Sequence, residues 1–228
     1  LLDQNYSLEN KKRYQALVPS LCKILLGPKY SLLRPEFRQA RKLLKPIKEE
    51  VKKVFVFFGG SDPKNITSLA LQTLSTPELA YLEVDLVIGI NNPHRKSIEF
   101  QVSNRKRTRL HVQIENISEL MAHSDLALGA GGSTTWERMC LGLPSIVVAL
   151  ANNQLPASKA LERDGLIRYI DGRSEITVKQ LQNIILNYIN HPPERFQHSM
   201  KCMQLVDGEG VQHVKEIMLA KINSYFSK

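Results

Sequence analysis

The chain has 228 residues, of which 43% are hydrophobic and 23% charged, a composition typical of a folded globular protein with a sizeable core. No apolar run approaches the roughly 18 residues that cross a bilayer, and the start lacks a signal-peptide pattern, so we expect no membrane span. The formal net charge of +9 at pH 7 raises the question of an anionic partner.

The three cysteines, Cys22, Cys140 and Cys202, lie far apart in the sequence and have no histidine at metal-ligand spacing. An odd number of isolated cysteines is typical of reduced thiols in a cytoplasmic protein rather than of a disulfide framework or a zinc site. The sequence also has no Asp-x-Asp pair or carboxylate cluster that would favour Mg²⁺. We therefore expect a cytoplasmic protein that uses neither a metal nor a cofactor.

Basic residues are concentrated in the run NRKRTR at residues 104–109. Neither interleaved aromatic residues nor a nucleic-acid-binding module accompanies this run, which favours a solvated loop or helix end over nucleic-acid binding. A basic surface also raises the local concentration of small anions. Charge alone does not decide between these interpretations. We predict that nucleic acid is not a partner, and a nucleic-acid-binding module stays the alternative from a different class.

Residues 1–50 do not follow a regular pattern of strands and helices. The chain opens on LLDQNY without an initiator methionine, as if a strand had been interrupted, and we expect it to be part of a longer polypeptide. The stretch GPKYSLLRPEFRQARKLLKP contains three proline breaks and predicts a connector with one short helix. We interpret residues 1–50 as an interdomain connector and the remnant of a preceding N-terminal domain.

Residues 51–190 alternate short apolar strands with helical segments. The strands are predicted at 53–58, 82–89, 109–114, 125–130, 144–150 and 167–170. Nearly continuous apolar strands that alternate with helices indicate a parallel sheet covered on both faces, an α/β, Rossmann-like doubly wound sheet of about six strands. Residues 191–228 predict two helices, separated by DGEG, that pack on the same domain.

Three loops at the carboxyl ends of these strands have unusual chemistry, and ligands bind at that edge of a parallel sheet. In GGSDPKN (residues 59–65), Gly59 and Gly60 allow a ligand to approach the backbone, and the amides at the start of the next helix favour an anion. Ser61, Asn65 and Thr67 add donors. The alternative is a tight turn in which Ser61 or Asp62 caps the helix, and the sequence leaves both open. The loop has neither the P-loop nor the G-x-G-x-x-G pattern, which disfavours ATP and NAD.

The second loop combines three glycines with three hydroxyls: Gly129, Gly131, Gly132, Ser133, Thr134 and Thr135. Free amides and hydroxyls at the start of a helix form a cradle for a diphosphate. Glu137 follows about one turn later, where a carboxylate accepts two hydrogen bonds from the vicinal diol of a ribose. The alternative is that Ser133 caps the helix and Glu137 favours its dipole. Capping needs only one hydroxyl, so the pattern favours the diphosphate.

The third loop, ANNQ at residues 151–154, has three consecutive side-chain amides: Asn152, Asn153 and Gln154. A polar sugar placed next to the diphosphate would be hydrogen-bonded here. An Asn-rich turn is the alternative, and the loop by itself does not decide.

In order and spacing these loops resemble the nucleotide-binding C-terminal half of GT-B glycosyltransferases, especially the family of the peptidoglycan GlcNAc transferase. The matching segments are GGS, the glycine-hydroxyl loop with Glu137, GLP at residues 142–144 and the pair Asn153-Gln154. Adding LLDQNY and GPKYSLLRPEF, nearly the whole chain is similar to the UDP-2,4-diacetamido-2,4,6-trideoxy-β-L-altropyranose hydrolases of pseudaminic acid biosynthesis. That family has the GT-B fold and transfers the sugar to water.

The resemblance implies a role for each matching residue in binding a UDP-sugar. Uracil would be held by Ile114, the diphosphate by the loop from Gly131 to Thr134 (Gly131, Gly132, Ser133 and Thr134), and the ribose by Glu137. Gly59, Gly60 and Ser61 would approach the phosphate or the sugar, while Asn153 and Gln154 would contact the sugar, with Asn153 a candidate contact for the attacking water.

The sequence departs from that family at the catalytic base. The family carries the base as the histidine of a Gly-His pair in its N-terminal domain, and this chain contains no Gly-His pair. We do not assign His94, His111 or His123 to this role. The expected partners are a UDP-sugar and the N-terminal domain of the same enzyme, and the expected reaction is inverting, metal-independent hydrolysis that this chain alone does not catalyse efficiently. A UDP-sugar-dependent glycosyltransferase of the same fold is the alternative.

Overall fold

A computed structural model describes residues 1–7 and 13–226. Its central feature is a six-stranded, all-parallel sheet in the order β5-β4-β3-β6-β7-β8. The strands are β3 (Lys53–Phe57), β4 (Glu83–Ile88), β5 (Thr108–Val112), β6 (Leu126–Ala130), β7 (Ser145–Ala149) and β8 (Arg168–Asp171). Each predicted strand is present within two residues of its expected bounds, and the predicted α/β fold class is confirmed.

Helices connect the strands and cover both faces of the sheet. They are α1 (Pro35–Lys42), α2 (Ile66–Leu74), α3 (Arg95–Ser103), α4 (Ile117–Ala122), α5 (Thr134–Cys140), α6 (Leu155–Arg163), α7 (Val178–Ile189), α8 (Pro192–Leu205) and α9 (Gly210–Phe226). The sequence sets several of their ends: Thr177 and Gln180 form a capping box at α7, and prolines open α1 and α8.

The alternation of side chains along the strands divides the core into two layers. On one face, Val54 and Val56 of β3 pack with apolar residues of α2, α3 and α7. On the other face, Phe55 packs with residues of α1, α4, α5, α6 and α8, including Trp136. Because both layers are fully buried, they fix the positions of the loops at the carboxyl ends of the strands.

The first 50 residues form more structure than the sequence predicted. Two short strands, β1 (Leu2–Asp3) and β2 (Leu25–Leu26), pair in parallel as a separate small sheet. The predicted short helix is α1, and its Arg41 donates hydrogen bonds to the carbonyls of Met203 and Val206 at the end of α8. Short 3₁₀ turns lie at Pro28–Tyr30 and Asn152–Gln154.

Candidate functional site

The three loops singled out from the sequence lie at one edge of the sheet. They follow β3, β6 and β7, which are neighbours with parallel register, so their carboxyl ends meet. The sheet order reverses between β3 and β6, because chain order runs outward from β3 to β5 and then from β6 to β8. Such a reversal opens a crevice for a ligand at the carboxyl edge of the strands.

A cleft of about 230 Å³ lies between the loop that follows β6 and the start of α6. The loop contributes Gly131, Gly132 and Ser133, and the facing wall contributes Asn153 and Gln154. The remaining lining residues are Gln4, Asn5, Thr135, Trp136, Ala157, Ser158 and Leu161. The structure thus brings together two of the three predicted loops.

The three consecutive hydroxyls have different environments. Ser133 is exposed and makes no side-chain capping bond, so the interpretation of Ser133 as a simple helix cap is wrong. Thr134 Oγ1 accepts from Arg138 Nη1 at 3.3 Å, and the buried Thr135 Oγ1 accepts from Arg138 Nη2 at 3.1 Å. Thr135 is therefore part of the support of the loop, and Ser133 is the hydroxyl of the three most available to a ligand.

The two glycines of the loop have different surroundings. A Cβ on Gly131 would come within 2.9 Å of Ser158 Oγ and 3.3 Å of Gln154 Cβ, whereas a Cβ on Gly132 would meet nothing within 4 Å. Gly131 therefore allows the loop to pack closely against α6. Gly132 leaves open space in the cleft, where a ligand can contact the backbone.

The side-chain amides of the third loop do not act as one cluster. Asn153 and Gln154 line the cleft. Gln154 Oε1 accepts from the backbone amide of Leu150 at 2.8 Å, which leaves its NH₂ group as the donor for a ligand. Asn152, in contrast, does not line the cleft, and its side chain accepts a hydrogen bond from Arg173 Nη1 at 3.0 Å. Two of the three amides, and not all three, are therefore placed to contact a sugar.

Glu137 lies one helical turn beyond Ser133 and is mostly buried, with 16% of its side chain exposed. Burial raises the pKa of its carboxyl group, and the positive charges of Arg34 and Arg138 oppose the shift. Arg34 Nη2 lies 3.6 Å from Glu137 Oε1, and Arg34 Nη1 donates to the carbonyl of Glu115 at 3.4 Å. Since Glu115 follows Ile114, Arg34 links the residues expected to hold the ribose and the uracil.

Arg34, Gln4 and Asn5 lie at the site but are not among the residues predicted from the sequence. The signal was present, because these residues lie in LLRPEF and LLDQNY, two of the segments that carry the resemblance. In the sequence, Arg34-Pro35 predicts only a break in the connector, and the contact of Arg34 with Glu137 becomes visible only in the fold.

The loop after β3 decides between the two open interpretations of GGSDPKN. Asp62 is 1% exposed, and its carboxylate accepts from the backbone amides of Ile66 at 3.1 Å and Thr67 at 2.7 Å. The amides at the start of α2 are therefore already capped, and α2 has no free anion site there. The Thr67 side chain is buried, so its predicted role as a ligand donor is wrong. Gly60 and Ser61 are exposed in the same loop, and Gly59 adopts a φ of 95° that favours glycine.

The basic run NRKRTR is partly structural. The guanidinium of Arg105 is buried and donates to the carbonyls of Leu74 and Leu82 at 2.9 and 3.0 Å. Arg107 adopts a φ of 60° and donates to the carbonyl of Tyr81. These contacts stabilise the loop before β5, so the run is not a surface composed only of free charges.

The histidines left unassigned by the sequence bind protein groups outside the cleft. His111 Nε2 lies 2.8 Å from Asp85 Oδ1, His123 Nδ1 lies 2.8 Å from the carbonyl of Glu119, and His94 Nε2 lies 3.3 Å from the carbonyl of Pro63. Within residues 1–7 and 13–226, His, Cys, Asp and Glu side chains form no group of three that would hold a metal ion. In the same part of the chain, no helix combines the length and apolar character that crossing a membrane requires.

Comparison with protein families matches residues 54–215 to the glycosyltransferase family 28 C-terminal domain. The chain belongs to this family. The match begins at the second residue of β3 and covers the other five strands of the large sheet, the three loops and the helices α2 to α8.

Two curated relatives and one solved structure illustrate the similarity. The spore coat polysaccharide biosynthesis protein SpsG of Bacillus subtilis is 26% identical over 90% of this chain and 61% of its own length. The UDP-2,4-diacetamido-2,4,6-trideoxy-beta-L-altropyranose hydrolase of Campylobacter jejuni is 26% identical over 67% of this chain and 53% of its own length. MurG of Acinetobacter baumannii matches with a TM-score of 0.64 at 14% identity, over 90% of this chain and 58% of MurG, and shows the GT-B-like fold. The chain therefore spans about half to three-fifths of the curated relatives' length.

Proposed function

We propose that this chain binds the nucleotide part of a UDP-sugar. The observation that carries the proposal is the cleft between the Gly131–Ser133 loop and Asn153–Gln154, in which the described lining residues are uncharged. A partly buried carboxylate, Glu137, lies one helical turn away. Glycine amides and a free serine hydroxyl suit a diphosphate, carboxamides suit a sugar, and a carboxylate suits the ribose diol. In this proposal Ile114 and the backbone around it hold the uracil, and Gly59, Gly60 and Ser61 approach the ligand from the neighbouring loop.

For the whole enzyme, we propose hydrolysis of the UDP-sugar with inversion at the anomeric carbon. Water attacks that carbon on the face opposite UDP, the bond from the carbon to the phosphate oxygen breaks, and UDP leaves with the bonding electron pair. A general base in an N-terminal domain takes the proton of the water. Loop amides and hydroxyls of this chain stabilise the charge on the departing diphosphate, and each well-placed donor of this kind contributes about 3 kcal/mol in comparable sites.

The proposed sugar is a neutral 2,4-diacetamido-trideoxy hexose used in surface polysaccharide biosynthesis. The resemblance to the Campylobacter jejuni hydrolase supports this choice, as does the absence of charged side chains among the described residues that line the cleft. A UDP-sugar-dependent glycosyltransferase is the second candidate, and membership of glycosyltransferase family 28 favours it. The full-length enzyme distinguishes the two, because hydrolysis yields a free sugar and transfer yields a glycoside.

Calorimetric titration of this chain with UDP, UMP, GDP and CMP tests the nucleotide site directly. We expect UDP to bind most tightly, UMP more weakly because it lacks the second phosphate, and GDP and CMP weakly because their bases differ. Equal binding of UDP and GDP, or no binding of UDP at millimolar concentration, contradicts the proposal.

A further inference from the structure

The cleft wall lacks the positive charge that a diphosphate requires. Among the described residues that line the cleft, none carries a charged side chain. Moving a diphosphate from water into such a site is costly unless a cation compensates for the lost hydration. A positive charge close behind the wall would provide this compensation without occupying space in the cleft.

Arg138 lies in that position. It is 1% exposed, and its guanidinium donates to the carbonyl of Ala130 at 3.0 Å and to the hydroxyls of Thr134 and Thr135. Thr135 lines the cleft and its hydroxyl bonds the guanidinium, so only the Thr135 side chain separates the guanidinium from the cleft there. A side chain on Gly129 would collide with the guanidinium and with the carbonyl oxygen of Phe57, which explains the glycine as the second-last residue of β6.

Among the described residues, Arg138 forms no salt bridge with an acidic side chain. The hydrogen-bond acceptors of its guanidinium are neutral, and its Nε has no partner. The neighbouring acid Glu137 acts on Arg138 only through its charge, and forms its ion pair with Arg34. Burial lowers the pKa of Arg138 to about 10, so the group stays protonated at neutral pH. A buried cation that is hydrogen-bonded only to neutral groups is costly for the fold, and part of the cost is recovered when an anion binds next to it.

We propose that Arg138 is a positioning residue for the diphosphate, supplying its counter-charge from behind the Gly129–Thr135 loop and holding the two threonine hydroxyls in place. This role rests on the proposed UDP site. It assigns the electrostatic stabilisation of the leaving group to a residue that does not touch the ligand. The effect should therefore depend on the phosphates and not on the nucleoside.

The test compares the affinities of this chain for UDP and for uridine in Arg138→Gln and Arg138→Lys, with folding checked by circular dichroism and thermal unfolding. Glutamine keeps a hydrogen-bond donor but removes the charge, so we expect UDP affinity to fall about 10-fold or more and uridine affinity to change less than about 2-fold. Lysine keeps the charge, so the ratio of UDP to uridine affinity should stay within about 3-fold of the wild-type ratio.

Arg105→Gln is the matched control, because Arg105 is also a buried arginine bonded to backbone carbonyls but precedes β5 at the opposite edge of the sheet. It should lower stability and leave the ratio of UDP to uridine affinity unchanged.

A folded Arg138→Gln chain with a wild-type ratio overturns the proposal, as does an equal loss of UDP and uridine binding. If Arg138→Gln does not fold, Arg138→Lys decides: a retained ratio supports the role of the charge, and a lost ratio overturns it. Failure of the wild-type chain to bind UDP contradicts the proposed function itself.

Discussion

Arg34 Nη2 lies 3.6 Å from Glu137 Oε1 and joins the connector to the helix that follows the glycine loop. Arg34 also pairs with Glu36 at 2.8 Å, and 47% of its side chain is exposed, so the pair with Glu137 adds little to stability. The pair matters more for the ionisation of Glu137. Burial raises the pKa of this carboxyl, and the positive charge of Arg34 opposes that rise more than any other group does. The connector thereby controls a residue of the candidate nucleoside site.

Glu137→Gln should reduce UDP affinity about 10-fold, because a hydrogen bond to a charged group contributes about 1.5–3 kcal/mol. The loss should depend on the ribose diol, so isothermal titration with 2′-deoxy-UDP should show nearly equal affinities for the variant and the wild type. Glu99→Gln removes an exposed acid on α3 and serves as the control. An equal loss for UDP and 2′-deoxy-UDP would show that Glu137 does not contact the ribose.

Arg34→Ala should shift the pH dependence of UDP binding upwards. The carboxyl of Glu137 accepts two hydrogen bonds from a diol only when it is ionised, so its contribution to affinity is lost as the pH falls through its raised pKa. Without Arg34 the pKa rises further, and the loss of affinity begins at a higher pH. Affinities measured from pH 4 to 8 check this, and Glu137→Gln separates the titration of the protein from that of the ligand phosphate.

The raised pKa of Glu137 affects stability in the direction opposite to its effect on UDP affinity. Burial raises the pKa of Glu137 in the folded chain above that of the unfolded chain, so between these two pKa values the native state binds the proton more tightly. The contribution of Glu137 to the free energy of unfolding therefore increases as the pH falls through that window. A Glu137→Gln chain that keeps the wild-type pH dependence of both UDP affinity and stability would contradict the assignment.

Gly132→Ala and Gly131→Ala should have separable effects. Alanine at position 132 meets nothing within 4 Å, so stability should stay within about 0.5 kcal/mol while the new methyl group obstructs the cleft and weakens UDP binding. Alanine at position 131 crowds Ser158 and Gln154, which should lower the free energy of unfolding by about 1–3 kcal/mol. Urea unfolding and UDP titration of both variants check the pair. Unchanged UDP affinity in Gly132→Ala would contradict the placement of the diphosphate.

Gly142→Ala should lower the free energy of unfolding by about 2–4 kcal/mol. Gly142 adopts a φ of 59°, and a Cβ there would come within 2.6 Å of Ser199 Oγ and 2.7 Å of Met203 Cγ. The left-handed conformation and the crowding against α8 both oppose a side chain. Urea unfolding with Gly132→Ala as the reference checks the prediction, and a cost below about 1 kcal/mol would show that α8 moves to accommodate the methyl group.

The fold could be predicted because its signals are local. Short apolar strands that alternate with helices indicate a buried parallel sheet, and right-handed crossovers then place all carboxyl ends at one edge. The strands and the three candidate loops could therefore be located before any contact was known. What the pattern could not provide was the pair β1–β2, because two-residue strands carry no periodic signal.

The site was predicted less completely, because its missing parts depend on contacts between distant segments. Arg34 reaches Glu137 across 103 positions of sequence, and Gln4 and Asn5 approach a loop near residue 132. The direction of a side chain could not be predicted from the sequence either. Ser133 and Thr135 differ only by a methyl group, yet Ser133 is exposed and Thr135 bonds Arg138 in the core. Such choices are made by packing and not by local propensity.

Asp62→Ala should separate the structural role of the loop after β3 from a ligand role. Asp62 caps α2 and adopts a φ of 36°, so alanine removes two hydrogen bonds and adds backbone strain, at a cost of about 1–2 kcal/mol. Asparagine tolerates this conformation but has a single acceptor oxygen, so Asp62→Asn keeps only one of the two hydrogen bonds and should also lower the free energy of unfolding, by about 1 kcal/mol or more. Both variants should bind UDP with nearly wild-type affinity.

Ser61→Ala is the complementary change in the same loop. Ser61 is exposed, so its removal should leave the free energy of unfolding within about 0.5 kcal/mol of the wild-type value. If Ser61 contacts the phosphate or the sugar, UDP-sugar affinity should fall about 3- to 10-fold, the range for loss of one neutral hydrogen bond. A stable Ser61→Ala chain with unchanged affinity for UDP and UDP-N-acetylglucosamine, together with weakened binding by Asp62→Asn, would reverse these assignments. The loop after β3 would then act on the ligand through the conformation that Asp62 holds, and not through the hydroxyl of Ser61.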